Sequence, residues 1–225
     1  PCLAFFPDLP QAAAAISLNH MKSFAHWLGA LGCAALALFP ARAADQPQWG
    51  AALSRNMVSA ETNLVDSFDP ATGRNVKFVL TLGSECYATP MVAGGRIYIG
   101  TNNERPRDAR HQGDRGVLMC FAEKDGQFLW QLVVPKYSDD IYTDWPKAGL
   151  CSPVTVEGDQ VYVLSSRGEV LCLAPDGLAG GNRGPYTNEA QFVTPKDKEL
   201  VIPGPHDADI LWRFDVHGTV NSHPH

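Results

Sequence analysis

The chain has 225 residues, with 18 basic against 24 acidic side chains and a net charge of −6 with His neutral. A mildly acidic charge with no basic stripe disfavours binding through phosphate neutralisation, so no nucleic-acid partner is expected. Hydrophobic residues make up 45%, and Gly and Pro number 20 and 17, which suits a globular chain of short strands and many turns.

Residues 1–20 carry no periodic pattern. Met21 then opens the layout of a secretory signal peptide: Lys22, an apolar run over 27–39, and Ala41-Arg42-Ala43 as a small-x-small cleavage site before Ala44. The run is too short to span a bilayer comfortably. The expected division is upstream non-native translation over 1–20, a signal peptide over 21–43 and an exported chain over 44–225. That chain would be periplasmic or extracellular, without a transmembrane span. The alternatives are a genuine extension ahead of a core helix, or a lipoprotein signal at Cys33. Losing Asp8, Lys22 and Arg42 moves the net charge by one, to −7.

Residues 44–64 read as a segment that wraps the outside of the sheets or supplies a closing strand. The first full strand is expected over 75–82. Strands over 86–92 and 96–100 are joined by Ala93-Gly94-Gly95, a good hairpin signal. After a polar loop over 101–115 come strands over 117–122 and 128–134, joined at Lys124-Asp125-Gly126. The order then recurs, with strands over 153–156, 160–164 and 169–174. The last turn of this second unit is replaced by an insertion over 175–207, and an outermost strand resumes over 210–216. An insertion of that length is often functional, although decoration outside the sheets is the simpler reading.

The two units are near copies. Thr89-Pro90-Met91-Val92 with Arg96-Ile97-Tyr98-Ile99 matches Ser152-Pro153-Val154-Thr155 with Gln160-Val161-Tyr162-Val163, and Gly116 to Phe121 matches Gly168 to Leu173. Self-similarity of this kind marks a repeat architecture, and β-branched runs broken by Gly and Asp describe propeller blades. The expected fold is all-β: a partial β-propeller of about two four-stranded antiparallel blades plus part of a neighbour. A ring of roughly seven or eight blades would need more chain than this, so the sequence reads as the first part of a longer protein.

Four cysteines follow residue 43: Cys86, Cys120, Cys151 and Cys172. They fall at repeat-equivalent places, which favours small apolar packing groups. Export also permits disulfides, and sequence alone does not choose a pairing. Neither Cys-x-x-Cys nor Cys-x-x-Cys-His occurs, so a zinc knuckle and a covalent haem are not expected.

Cys120-Phe121-Ala122-Glu123-Lys124-Asp125-Gly126-Gln127-Phe128-Leu129-Trp130 aligns without gaps on the repeat Ala-Leu-Asp-Ala-x-Thr-Gly-x-x-x-Trp. The chain thereby resembles the quinoprotein-type propellers, the family of pyrroloquinoline-quinone (PQQ) dehydrogenases and of the outer-membrane assembly lipoprotein BamB. A fainter copy is Asp69-Pro70-Ala71-Thr72-Gly73, with Phe78 one position late where Trp belongs. In a third, Gly177 and Trp212 are separated by the insertion. The resemblance implies that Trp130, Trp212 and Phe78 dock neighbouring blades and that Gly126 permits the hairpin.

No catalytic residue is assigned by sequence. Asp139, Asp140 and Asp144 could bind calcium or act as acid and base, although a solvated acidic loop is the plainer reading. Arg105, Arg107 and Arg110 could grip an anion, but Glu104, Asp108 and Asp114 neutralise them. His206, His217, His223 and His225 could join Asp207 and Asp209 around a metal, yet no regular element sets their spacing. The resemblance brings PQQ with calcium into view, but no adjacent cysteine pair occurs and the cofactor-binding positions are not identifiable. The expectation is therefore a binding or scaffold module for a cell-envelope protein or a small ligand. The alternatives are a PQQ-dependent dehydrogenase whose site lies in further blades, and a hydrolase using Asp139, Asp140 and Asp144.

Overall fold

A computed structural model describes residues 3–6, 44–59, 61–138, 141–142 and 144–220. The segment 21–43 lies outside the described residues, as do Asp139, Asp140, His223 and His225. Ten strands occur among the described residues: β1 (Leu3–Phe6), β2 (Phe78–Thr81), β3 (Met91–Ala93), β4 (Arg96–Asn102), β5 (Arg115–Ala122), β6 (Phe128–Pro135), β7 (Thr155–Glu157), β8 (Gln160–Leu164), β9 (Glu169–Leu173) and β10 (Ile210–Asp215). Among the described residues, helix is confined to a 3-10 turn at Gly177–Gly180 and two single turns, α1 (Glu189–Val193) and α2 (Val216–Val220).

Strands β3 to β6 form one four-stranded antiparallel sheet in chain order, and β7 to β10 form a second. The period-two alternation of side chains explains how the first sheet is used. Tyr98, Leu118, Cys120, Trp130, Leu132 and Val134 share a core with Val161, Val163, Leu171, Leu173 and Ile210 of the second sheet. The intervening Ile97, Ile99, Val117, Met119, Phe121 and Val133 share another core with Leu80 and Leu82. The first sheet is therefore buried on both faces, which is why its strands read as near-continuous apolar runs.

Strand β2 belongs to a separate two-stranded pairing with β1, in which Leu3 to Phe6 run antiparallel to Thr81 to Phe78. Phe78 reaches Gly126 in the same way that Trp130 reaches Gly177: a Cβ added at Gly126 would lie 2.9 Å from the Phe78 ring, and one at Gly177 would lie 2.8 Å from the Trp130 indole. β2 thus occupies the docking position of a fourth strand from a preceding blade. The extra residue between Gly73 and Phe78 is accommodated at Asn75. That residue has φ +56° and donates from its side chain to the Ser67 carbonyl (2.8 Å), a left-handed conformation that Asn tolerates better than most residues.

The strand expected over 86–92 is regular only at Met91–Ala93. Before it, the chain is bracketed by side chains instead of a ladder. Thr101 Oγ1 accepts from the Gly83 N–H and donates to the Glu85 carbonyl, while the Asn102 side chain accepts from the Ser84 N–H and donates to the Lys147 carbonyl. The leading segment bonds both sheets: Gln46 exchanges backbone hydrogen bonds with Val92, and the Pro47 carbonyl accepts from Val156.

The reading of the 175–207 insertion as outside decoration is corrected. Phe192 and Val193 of α1 are buried in the core between the two sheets. The end of the insertion pairs in parallel with β6, with the Gln131 N–H donating to His206 and the Ala208 N–H donating to Gln131. This covers an edge that would otherwise offer unpaired backbone groups. The loop is clasped at its base, where the Leu178 N–H donates to the Asp207 carbonyl (2.9 Å).

Gly100 marks the closest backbone approach between β4 and the segment before the second sheet. A methyl there would overlap the Leu150 carbonyl oxygen. Gly100→Ala is expected to cost about 1–3 kcal/mol through overpacking, read as a lowered urea midpoint. An unchanged midpoint would show that Leu150 can retreat.

Candidate binding cleft and blade-docking residues

Trp130, expected to dock neighbouring blades, is 1% exposed. Its Nε1–H donates to the Pro175 carbonyl just after β9 (2.8 Å), and its ring is tilted against Tyr98 with centroids 6.0 Å apart. Trp212 repeats the second relation with Tyr162 at 6.0 Å. It remains partly exposed because no further sheet lies against that face among the described residues. Gly126 has φ +73°, and Asp125, standing where the repeat has Thr, accepts the Gln127 N–H (3.0 Å). The Asp69 turn is built alike, and hydrogen bonds from the Thr72 hydroxyl and the Ala71 N–H hold that carboxyl below its usual range.

The loop after β6 shapes a cleft of about 570 Å³ lined by Tyr142, Asp144, Trp145, Ala148, Gly149, Cys151, Ser152, Leu164, Ser165 and Ser166. Tyr142, Trp145 and Leu164 are exposed there. The buried Ser166 hydroxyl has no hydrogen-bond partner. The loop is anchored by Lys136, whose ammonium pairs with the Asp144 carboxylate and donates to the Asp144 and Trp145 carbonyls (2.8 Å each). The second Asp144 oxygen accepts the Tyr137 N–H (2.7 Å). Both oxygens of this candidate acid are therefore committed to holding the loop. On the other side of Lys136 lies a smaller pocket of about 300 Å³, where Arg115, Arg167 and Lys196 give a cationic lining.

Cys151 lines the cleft, but burial and the nearby Asp144 charge push its thiol above the ordinary value, so it is not an activated nucleophile at neutral pH. Cys120 is pushed up strongly by burial. The four described cysteines form no disulfide.

The arginine loop is used internally. Arg110 pairs with Asp108, and Arg107 lies over the Phe121 and Phe128 rings and donates to the Thr81 carbonyl (2.7 Å). Among the described members of the histidine and aspartate set expected around a metal, His206, His217 and Asp209 are each engaged elsewhere. His206 bonds the Leu129 carbonyl, His217 bonds the Tyr137 hydroxyl, and Asp209 accepts the Arg183 N–H. Asp207 instead meets Asp108 and His111, a grouping hidden from sequence because it joins a loop of the first sheet to the far end of the insertion.

The PQQ-like repeat family described as outer membrane protein assembly factor BamB matches residues 41–177. The chain belongs to this family. The match runs from the leading segment through β9 to Gly177 and stops where the insertion begins. No curated protein matches the chain. No helix among the described residues is long and apolar enough to cross a membrane.

The residues present do not fit the PQQ and calcium that the wider resemblance brings into view. Asp144 is neutralised by Lys136, the Trp130 indole is fixed to Pro175, and no two cysteines are adjacent.

Proposed function

We propose that this is an exported propeller module that binds a protein partner in the cell envelope through the cleft between the β6–β7 loop and the β8–β9 turn. One observation carries the reading: exposed Tyr142 and Trp145 line a concave site whose loop is fixed beneath by Lys136. Aromatic side chains on a rigid support are what binding surfaces use as anchors. The family's printed description, an outer membrane protein assembly factor, supports both the envelope location and a protein as partner. The leader layout over 21–43 supports export.

A photoreactive group at position 145 is expected to capture a discrete envelope protein in cells, and the same group on the distant turn at Lys124 is not. Equal capture at both positions would defeat the reading. Dye reduction with an alcohol or sugar that appears only on adding PQQ and calcium would favour the dehydrogenase alternative instead.

A further inference from the structure

Outside the cleft, Asp108, His111 and Asp207 bring two carboxylates and an imidazole together, with their ligand atoms all within 4.8 Å of one another. His111 is 3% exposed. Its ring makes no hydrogen bond to a described residue, although its backbone N–H donates to Asp108 and its carbonyl accepts from Asn103. An imidazole beside two carboxylates is a donor set of the kind that a metal ion joins.

The negative charge is balanced by Arg110. Its guanidinium pairs with Asp108, lies 3.5 Å from Asp207 and donates to the Ile202 carbonyl (2.6 Å). The Arg110 side chain is half exposed, so solvent borders it. Asp207 Oδ2 accepts the Gly204 N–H (2.7 Å), which fixes the orientation of the carboxylate, as hydrogen bonds behind metal ligands do.

We propose that Asp108, His111 and Asp207 hold one divalent ion of the zinc class, with Arg110 displaced, and that the ion clasps the 175–207 insertion to the β4–β5 loop. One imidazole and two carboxylates suit zinc better than calcium, which takes more oxygen ligands. Three protein ligands leave a fourth position for water. The site is separate from the cleft and stands whether or not the cleft binds a partner.

The test uses the whole chain, stripped by chelator and titrated with Zn2+ by calorimetry, with Co2+ absorbance as a second probe. One ion per chain is expected, and His111→Ala should weaken binding at least roughly tenfold. Arg110→Gln removes the competing cation. It should lower the melting temperature of the metal-free protein, bind Zn2+ more tightly than the wild type, and regain the lost stability when Zn2+ is added. No stoichiometric uptake, uptake unchanged in His111→Ala but abolished in Cys151→Ser, or a loss in Arg110→Gln that Zn2+ does not repair would each overturn the site. Ca2+ binding as tightly as Zn2+ would overturn the assigned class.

Discussion

Trp130→Ala is expected to lower the unfolding free energy by about 3–5 kcal/mol, the cost of deleting a fully buried aromatic side chain. The ring is the largest side chain in the core between the two sheets, and it lies over the backbone at Gly177. Its removal opens a cavity bordered by Tyr98 and strands the Pro175 carbonyl, which now accepts the indole N–H. Trp130→Phe divides the two contributions. It keeps most of the apolar contact and loses the hydrogen bond, so it should cost about 1–3 kcal/mol for the buried carbonyl left without its donor. Circular dichroism in urea is the suitable measurement, because the substitution itself alters tryptophan fluorescence. Gly177→Ala should resemble Trp130→Ala in direction. Its Cβ would press on the same indole from the other side, and φ +60° is unfavourable for any residue with a Cβ. A loss under about 1 kcal/mol for Trp130→Ala would mean that the two sheets do not depend on this wedge.

The hairpins were legible because each rests on local chemistry. Gly94-Gly95 and Lys124-Asp125-Gly126 turn the chain, and alternating apolar residues such as Val117, Met119 and Phe121 present one face. The Trp130 spacing from Gly126 identified the repeat, and the family match covers that stretch. What was not legible depended on distant partners. Residues 86–92 read as strand, yet Thr101 and Asn102 hold the backbone of Gly83, Ser84 and Glu85 just before them with side chains, and only Met91–Ala93 join the ladder. Phe192 and Val193 sit in a polar, Pro- and Gly-rich stretch, and only the covering of β6 shows why they are buried. The acidic residues of the β6–β7 loop suggested acid–base chemistry, but Asp144 is a tether for Lys136. The aromatic cleft was missed, although the exposed Tyr142 and Trp145 flanking Asp144 were its signal. Asp108, His111 and Asp207 could not be grouped from spacing, since the insertion must fold back across the first sheet to bring them together.

The second large effect concerns the ion cluster that pins the insertion. Glu169 opens β9 with its side chain 4% exposed, and one carboxylate oxygen accepts from both Arg167 and Arg213 (2.6 Å each). The other oxygen accepts from the Ser165 hydroxyl (3.1 Å). Arg167 also lies 4.7 Å over the Phe192 ring, so the cluster links β9, β10 and α1. The two guanidiniums are 22% and 40% exposed, so they can turn toward water when the carboxylate is removed, whereas the carboxylate has no such escape when they are removed. The double substitution Arg167→Met with Arg213→Met should therefore be the costlier change, at about 3–5 kcal/mol for a buried charge left without partners. Glu169→Gln should cost less, about 1–3 kcal/mol, because the amide keeps the shape and one acceptor. Combining all three should recover part of the double variant's loss, since the stranded charge is then gone. The loss should also appear locally: with Arg167 no longer over Phe192, protease cleavage within 182–200 should accelerate before the sheets unfold. Equal losses for Glu169→Gln and the double variant would show that solvent reaches Glu169 once the arginines leave. In that case the insertion would be held by the apolar contacts of Phe192 and Val193 and by its parallel pairing with β6, with the ion cluster contributing little.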